Sequence, residues 1–133
     1  MVKKKPSINK KYILLSIGTL KNKSLLLPYI QKASENKKLI FYATEKTHRY
    51  LKDHAAPTTL VYKISQKNKT PNIAELLEQK VFDIIINIPT TREKDSKEMT
   101  DGRLIRKRSI ELDINLVTDI DVASMILDKV AKQ

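Results

Sequence analysis

Short continuous apolar runs alternate along this sequence with longer amphipathic stretches, and this alternation constrains the fold more than any other feature. Such runs are typical of strands that are buried on both faces. Five strands are expected, at residues 12–17, 39–43, 58–62, 82–86 and 116–117. Because strands that alternate with helices favour a parallel sheet covered on both sides, the sequence predicts an α/β fold. We expect a three-layer αβα sandwich with a five-stranded parallel, Rossmann-like sheet.

The stretches between the strands carry apolar residues at helical spacing. The first helix has its apolar face at residues 25–33 and runs to about Asn36, and three more are expected at residues 46–54, 73–81 and 102–111. A last helix carries its apolar face at residues 122–130. Thr44 and Asn72 are expected to cap the second and third helices, and Thr118 or Asp119 the last one. Leu25 and Tyr29 in the first helix, with Val122 and Met125 in the last, fall on the predicted buried faces. The polar stretch over residues 89–100 has no period and predicts a long loop.

The length of 133 residues predicts a single domain over residues 12–133, preceded by a basic lead-in over residues 1–11. The chain has no cysteine, which excludes disulfides and cysteine-based metal sites, and its two histidines are too few for a histidine cage. No apolar run reaches the roughly 18 residues that a membrane span needs. The apolar stretch after the basic start is also too short for a signal peptide, so a cytoplasmic protein without membrane contact is expected.

The formal net charge of +11 indicates either an anionic partner or lysines that only make the surface soluble. Phosphorylated metabolites, nucleic acids and acidic protein surfaces all satisfy that charge. Nucleic acid is the least favoured of them, because readers of single strands stack bases on aromatic side chains. The five tyrosines and two phenylalanines of this chain fall mostly in core patterns.

The residues that follow the predicted strands point to one binding site. Ligands of such sheets bind beyond the carboxyl ends of the strands, where the strand order reverses. Hydroxyl, amide and ammonium donors, together with helix N-termini, are suited to an anion. The candidate anion-binding residues at this edge are Thr44, Thr47, Lys63, Asn87, Thr90, Lys21 and Lys23.

An enzymatic site receives less support from the residues. General acid–base chemistry needs carboxylates or histidines in the same pocket. The acids at this edge are Glu45, Asp101 and Asp119, and two of them stand at helix starts, where acids are favoured electrostatically. No nucleophile-elbow, P-loop or zinc-protease motif is present. We therefore predict no catalytic residue, no metal and no cofactor. The basic residues of the fourth predicted helix are interpreted most simply as a solvated face, with binding of a phosphate or an acidic partner as the alternative.

Five segments of the chain resemble the methylglyoxal-synthase-like domain in order and spacing. These segments are residues 41–47, 71–73, 82–89, 101–107 and 116–119. The similarity covers about residues 12–131 and is strongest to the C-terminal regulatory domain of the carbamoyl-phosphate synthase large chain. The resemblance implies a non-catalytic domain that binds a small anionic effector through Thr44, Thr47, Lys63 and Asn87, with Thr90 beside them. It also implies the remainder of the synthase as a partner, and a homo-oligomer stays open.

The resemblance leaves the ligand open between two types. Lys63 stands where nucleotide-regulated members place a phosphate-binding lysine, which favours uridine or inosine monophosphate. Pro89, by contrast, replaces a hydroxyl of those members and is similar to the N-acetylglutamate type. A lyase acting on dihydroxyacetone phosphate, as in methylglyoxal synthase itself, is the alternative, but the loop at residues 65–71 lacks the aspartate base and the glycines of that enzyme.

Overall fold

The structure, a computed structural model, describes residues 9–90 and 100–133. The five strands are β1 Lys11–Ile17, β2 Leu39–Ala43, β3 Thr59–Leu60, β4 Ile84–Ile88 and β5 Asn115–Val117. The helices of the described residues are α1 Leu20–Ala33, α2 Glu45–Asp53, α3 Ile73–Glu78, α4 Asp101–Glu111 and α5 Ile120–Ala131. Most of the predicted loop at residues 89–100 and of the predicted basic lead-in lies outside the described residues.

The strands form one sheet in the order β3-β2-β1-β4-β5, and every neighbouring pair is parallel. The central strand β1 sets the register: Leu15 pairs with Ala43 of β2 on one side and with Ile86 of β4 on the other. The predicted five-stranded parallel sheet is confirmed. The carboxyl ends of all the strands therefore meet along the same edge.

The side chains of β1 alternate between two separate cores. Ile13 and Leu15 join the core formed with α1, α2 and α5, whereas Tyr12 and Leu14 join the core formed with α3 and α4. All four side chains are buried because β1 lies at the centre of the sheet. Helices thus cover both faces, and the predicted three-layer αβα arrangement is confirmed.

Several predicted boundaries are wrong for local reasons. Helix α1 ends at Ala33 and not near residue 36. It begins at Leu20, where the Thr19 hydroxyl accepts a hydrogen bond from the backbone N–H of Asn22 and caps the helix. Helix α3 ends at Glu78 and not at residue 81. Lys80 adopts a left-handed backbone with a φ of 52°, which turns the chain out of the helix.

The strands at the two sides of the sheet also differ from expectation. β3 is only two residues long, where residues 58–62 were expected, and the chain returns to the sheet with a single bridge between Tyr62 and Asn72. β4 begins at Ile84 and not at residue 82, because Asp83 is occupied by two bonds that fasten it to Tyr12. Its carboxylate accepts from the backbone N–H of Tyr12, and its own N–H donates to the Tyr12 carbonyl, both at 2.8 Å.

The apolar faces of two helices are only partly buried, contrary to the prediction. Leu25 and Tyr29 of α1 and Val122 and Met125 of α5 are exposed, whereas Leu26 and Ile30 are completely buried. Helices α1 and α5 pack side by side on one face of the sheet. An apolar residue next to the buried stripe therefore points outward. Within the described residues, no helix combines the length and apolar character needed to cross a membrane.

Candidate functional site

The edge where the strands end contains the point at which the chain reverses its direction across the sheet. β2 and β3 lie on one side of β1, while β4 and β5 lie on the other. At this boundary the backbone N–H of Gly18 donates to the Ile88 carbonyl at 2.8 Å. A Cβ on Gly18 would lie 2.7 Å from Cγ2 of Thr90 and 2.9 Å from the Ile88 oxygen, so glycine allows the two strand ends to approach.

A cavity of about 690 Å³ opens at this reversal point. Its size suits a small-molecule ligand. It is bounded by the ends of β1 and β4, the starts of α2 and α4, and the loop after β3. The predicted site residues that line it are Thr44, Thr47, Lys63, Asn87, Thr90 and Lys23. Lys21 is exposed and does not line the cavity, because it lies two residues before Lys23 and hence on another side of α1.

Asn87 is the next-to-last residue of β4. It is one of the most buried polar residues, with an exposed fraction of 2%. Its Oδ1 accepts a hydrogen bond from Nη1 of Arg106 at 2.5 Å. Its Nδ2 is buried and has no hydrogen-bond partner among the described residues. An unpaired buried amide costs about 1–3 kcal/mol, so this nitrogen is a donor in need of an acceptor.

Lys23 is a nearly buried cation, 7% exposed, in the first turns of α1. Burial, together with the charge of Lys46, lowers the pKa of Lys23 from its ordinary value of 10.5. Within the described part of the chain its ammonium makes neither a hydrogen bond nor an ion pair. A buried cation without a counter-charge is costly, and the cavity beside it is the place where an anion would compensate that charge.

The two candidate threonines have different surroundings. Thr44 occupies the N-cap position of α2, but its hydroxyl forms no capping hydrogen bond. The hydroxyl of Thr47 is engaged with β1: it accepts from the backbone N–H of Ile17 at 3.1 Å and lies 3.4 Å from the Ile17 carbonyl oxygen. Thr44 lines the cavity with a hydroxyl that has no partner in the described part of the chain, whereas Thr47 joins the start of α2 to the end of β1.

Lys63 stands on a loop whose backbone is fixed by two side chains. Its N–H donates to Oε1 of Gln66 at 2.9 Å, and its carbonyl accepts from Nδ2 of Asn72 at 2.8 Å. The ammonium has no partner of its own in residues 9–90 or 100–133. The loop thus holds a half-buried cation at the cavity wall.

The carboxylates of the cavity wall are already hydrogen-bonded. Glu45 accepts from Nε2 of Gln66 at 3.0 Å. Asp101 accepts from the backbone N–H and the hydroxyl of Ser65, at 3.2 and 3.1 Å. These bonds connect the loop after β3 to the starts of α2 and α4. The cavity wall has more cations than acids. Its four cations are Lys23, Lys46, Arg49 and Lys63.

Arg106 contacts a residue of the cavity wall, and the sequence interpretation did not select it as a site residue. The basic residues of α4 were expected to form a solvated face, yet Arg106 reaches Asn87. Arg108 forms ion pairs with Glu78 and Glu111. The signal in the sequence for Arg106 was its position one residue after the buried Ile105, since such a residue lies beside the buried stripe of its helix. In the described residues no cluster of three or more histidine, aspartate or glutamate side chains is arranged to hold a metal ion.

Comparisons with known proteins identify the family of this chain. The model of the MGS-like domain family matches residues 26–118. The chain is 32% identical over 123 residues to a carbamoyl phosphate synthase large chain of Clostridium botulinum, which covers 92% of this chain and 11% of that protein. It is 35% identical over 85 residues to the corresponding large chain of Agathobacter rectalis, covering 64% of this chain and 8% of that one. The chain therefore belongs to the MGS-like domain family.

The relatives are much longer than this chain. The multifunctional protein ura1 of Schizosaccharomyces pombe is 28% identical over 127 residues, which cover 92% of this chain but 6% of that protein. The chain thus spans about a tenth or less of the length of these relatives. Among solved structures, methylglyoxal synthase of Elizabethkingia anophelis has a TM-score of 0.66 at 19% identity, covering 90% of this chain and 78% of that one. That similarity shows the same fold.

Proposed function

We propose that this chain is a regulatory domain that binds a small anionic effector at the carboxyl edge of its sheet and acts on a carbamoyl-phosphate synthase. The observation that carries the proposal is the pair of unsatisfied buried donors at one cavity. The Nδ2 of Asn87 lacks an acceptor, and the ammonium of Lys23 lacks a counter-charge, among the described residues. A ligand oxygen that bears negative charge satisfies both.

The remaining groups of the cavity favour a phosphorylated ligand. The Thr44 hydroxyl and the Lys63 ammonium are available to phosphate oxygens, and the N-termini of α2 and α4 add a favourable dipole. The cavity of about 690 Å³ exceeds what a phosphate group alone would fill. A nucleoside monophosphate such as uridine or inosine monophosphate fits this combination of charge and volume better than phosphate itself.

Regulation follows from the position of the site between several elements. A ligand that contacts Thr44, Lys63 and Asn87 bridges the ends of β2 and β4 and the loop after β3. If the ligand favours one arrangement of these segments, it shifts the activity of the attached synthase by its differential affinity, typically about 1–3 kcal/mol. The synthase itself corresponds to the part of the relatives that this chain does not span.

A thermal-shift screen tests the effector proposal. The ligands are uridine monophosphate, inosine monophosphate, N-acetylglutamate, ornithine and inorganic phosphate, each over a range of concentrations. A ligand that binds only the folded state raises the Tm as its concentration increases. We expect the largest shift with a nucleoside monophosphate. The proposal is wrong if none of the five ligands shifts the Tm.

Two variants locate the site in the same screen. Lys63→Ala should remove most of the shift with a phosphorylated ligand while leaving the Tm of the free protein nearly unchanged, since its half-exposed ammonium supports no contact of the fold. Lys129→Ala removes a lysine from α5, far from the cavity lining, and should respond as the parent does. Incubation with dihydroxyacetone phosphate completes the test: release of methylglyoxal would favour the lyase function over the regulatory one.

A further inference from the structure

Arg106 donates a hydrogen bond to the oxygen of the Asn87 amide. A guanidinium group carries donors and no acceptor. It therefore forms the observed hydrogen bond of 2.5 Å only with the oxygen of Asn87. Exchanging the amide oxygen and nitrogen would bring two donors together. The contact thus fixes the amide in one orientation, with Oδ1 toward α4 and Nδ2 on the opposite side.

The burial of Asn87 keeps its amide in this orientation. A solvated amide would rotate and present either atom, but Asn87 is 2% exposed and pairs along β4 with Ser16 of β1. Its Nδ2 lacks a partner among the described residues, and the residue lines the cavity. Because Arg106 engages Oδ1, the group of the Asn87 amide that is left without a partner for a ligand is the Nδ2 donor.

We infer that Arg106 is a positioning residue of the effector site, and that the ligand group received by Asn87 is a hydrogen-bond acceptor such as a phosphate, carboxylate or carbonyl oxygen. This inference rests on the proposed function, because it assigns a role within the same site. A ligand that presents an ammonium group at this point is rejected, since that group carries donors and no acceptor for Nδ2.

A double-mutant cycle tests whether Arg106 acts through Asn87. The four proteins are the parent, Arg106→Met, Asn87→Ala and the double variant, and calorimetric titration gives the Kd of each for uridine monophosphate and for inorganic phosphate. Each single variant should bind about tenfold more weakly, which corresponds to one hydrogen bond. The double variant should bind no more weakly than Asn87→Ala, because the residue through which Arg106 acts is then already gone.

The charge of Arg106 needs a separate control. Lys107→Met removes the same charge from the neighbouring exposed position of α4 and should change the Kd less than twofold. Arg106→Lys retains a donor for Oδ1 and should recover part of the lost affinity. If Arg106→Met weakens binding by the same factor in the Asn87→Ala background, Arg106 acts independently of Asn87, and the inference is overturned.

A measurement on the free protein tests the contact without any ligand. In NMR spectra at low temperature, the Nη1 protons of Arg106 should exchange with water more slowly than those of the exposed Arg49, and Asn87→Ala should accelerate their exchange. Exchange as fast as that of Arg49 would contradict the inference. Slow exchange combined with no binding of either probe would instead contradict the proposed function and leave the fixed amide intact.

Discussion

The hydroxyl of Thr47 accepts a hydrogen bond from the backbone N–H of Ile17 at 3.1 Å, and this bond joins the first turn of α2 to the end of β1. Both residues are buried, so no water replaces the contact. Thr44, three residues earlier, forms no such bond. Two threonines of the same cavity therefore serve different purposes: one holds the site together, and the other is available to a ligand.

Valine substitutions separate these purposes. Thr47→Val leaves the Ile17 N–H buried without an acceptor and should lower the free energy of unfolding by about 1–3 kcal/mol. Thr44→Val removes an unbonded hydroxyl and should change stability by less than about 0.5 kcal/mol, while weakening the binding of uridine monophosphate. Urea denaturation and calorimetric titration measure the two effects. Equal loss of stability in both variants would contradict the assignment.

The close approach of β1 and β4 depends on Gly18. In Gly18→Ala the new methyl group meets Cγ2 of Thr90 and the Ile88 carbonyl oxygen at 2.7 and 2.9 Å. Such overpacking costs about 1–3 kcal/mol, which urea denaturation would detect. Adding Thr90→Ser removes the Cγ2 contact but not the backbone contact, so it should restore only part of the loss. A Gly18→Ala protein as stable as the parent would mean that the strand ends lie farther apart.

The lowered pKa of Lys23 predicts how the free energy of unfolding and the affinity for an anion change with pH. Its pKa is lowered in the folded protein by burial and by Lys46, below the ordinary value of 10.5 that the unfolded chain retains. Between these two values the unfolded chain binds the extra proton, so the free energy of unfolding should rise as the pH increases through that window. Binding of an anion favours the charged ammonium, so the affinity should fall over the same window.

Paired variants isolate this effect from other titrations at high pH. Lys23→Met should abolish both changes relative to the parent, as measured by urea denaturation and by titration with inorganic phosphate. Lys21→Met removes an exposed lysine two positions away and should leave both profiles like those of the parent. If the two variants behave alike, the buried environment of Lys23 is not the cause.

The strands were predictable from the sequence because buried central strands need continuous apolar runs, as residues 12–17 show. The ends of the strands were harder to predict from the sequence. Phe82 is buried and apolar, yet β4 begins only at Ile84, because the Asp83 carboxylate takes the backbone N–H of Tyr12. Whether a carboxylate finds a backbone partner depends on the neighbouring strand, and the local pattern carries no such information.

The sequence predicted at which edge of the sheet the site lies, but it did not predict the contacts within the site. The strand ends bring Thr44, Lys63 and Asn87 to one cavity, as the parallel sheet required. Helical geometry separates Lys21 from Lys23, so both could not face the same cavity. The contact of Arg106 with Asn87 was not predicted because the two residues are 19 positions apart in the chain. Only the packing of α4 against β4 brings them together.

The end of α3 offers a test of backbone conformation that is independent of the ligand. Lys80 has a φ of 52°, and the following N–H of Val81 donates back to the Leu76 carbonyl at 3.1 Å. A side chain in this left-handed conformation costs about 1 kcal/mol, so Lys80→Gly should raise the free energy of unfolding by up to that amount. Gln79→Gly, at a right-handed position, should lower it. The reverse order in thermal denaturation would contradict the turn.

The location of the anion site is tested most directly by following the backbone amide resonances of the protein during a titration with uridine monophosphate. The account predicts that the largest shifts cluster at the strand ends and the loop after β3, at Gly18, Thr44, Lys63, Asn87 and Thr90. Shifts that concentrate instead around the opposite end of the sheet, near Lys10, Leu39 and Thr59, or no shifts at saturating nucleotide, would contradict it.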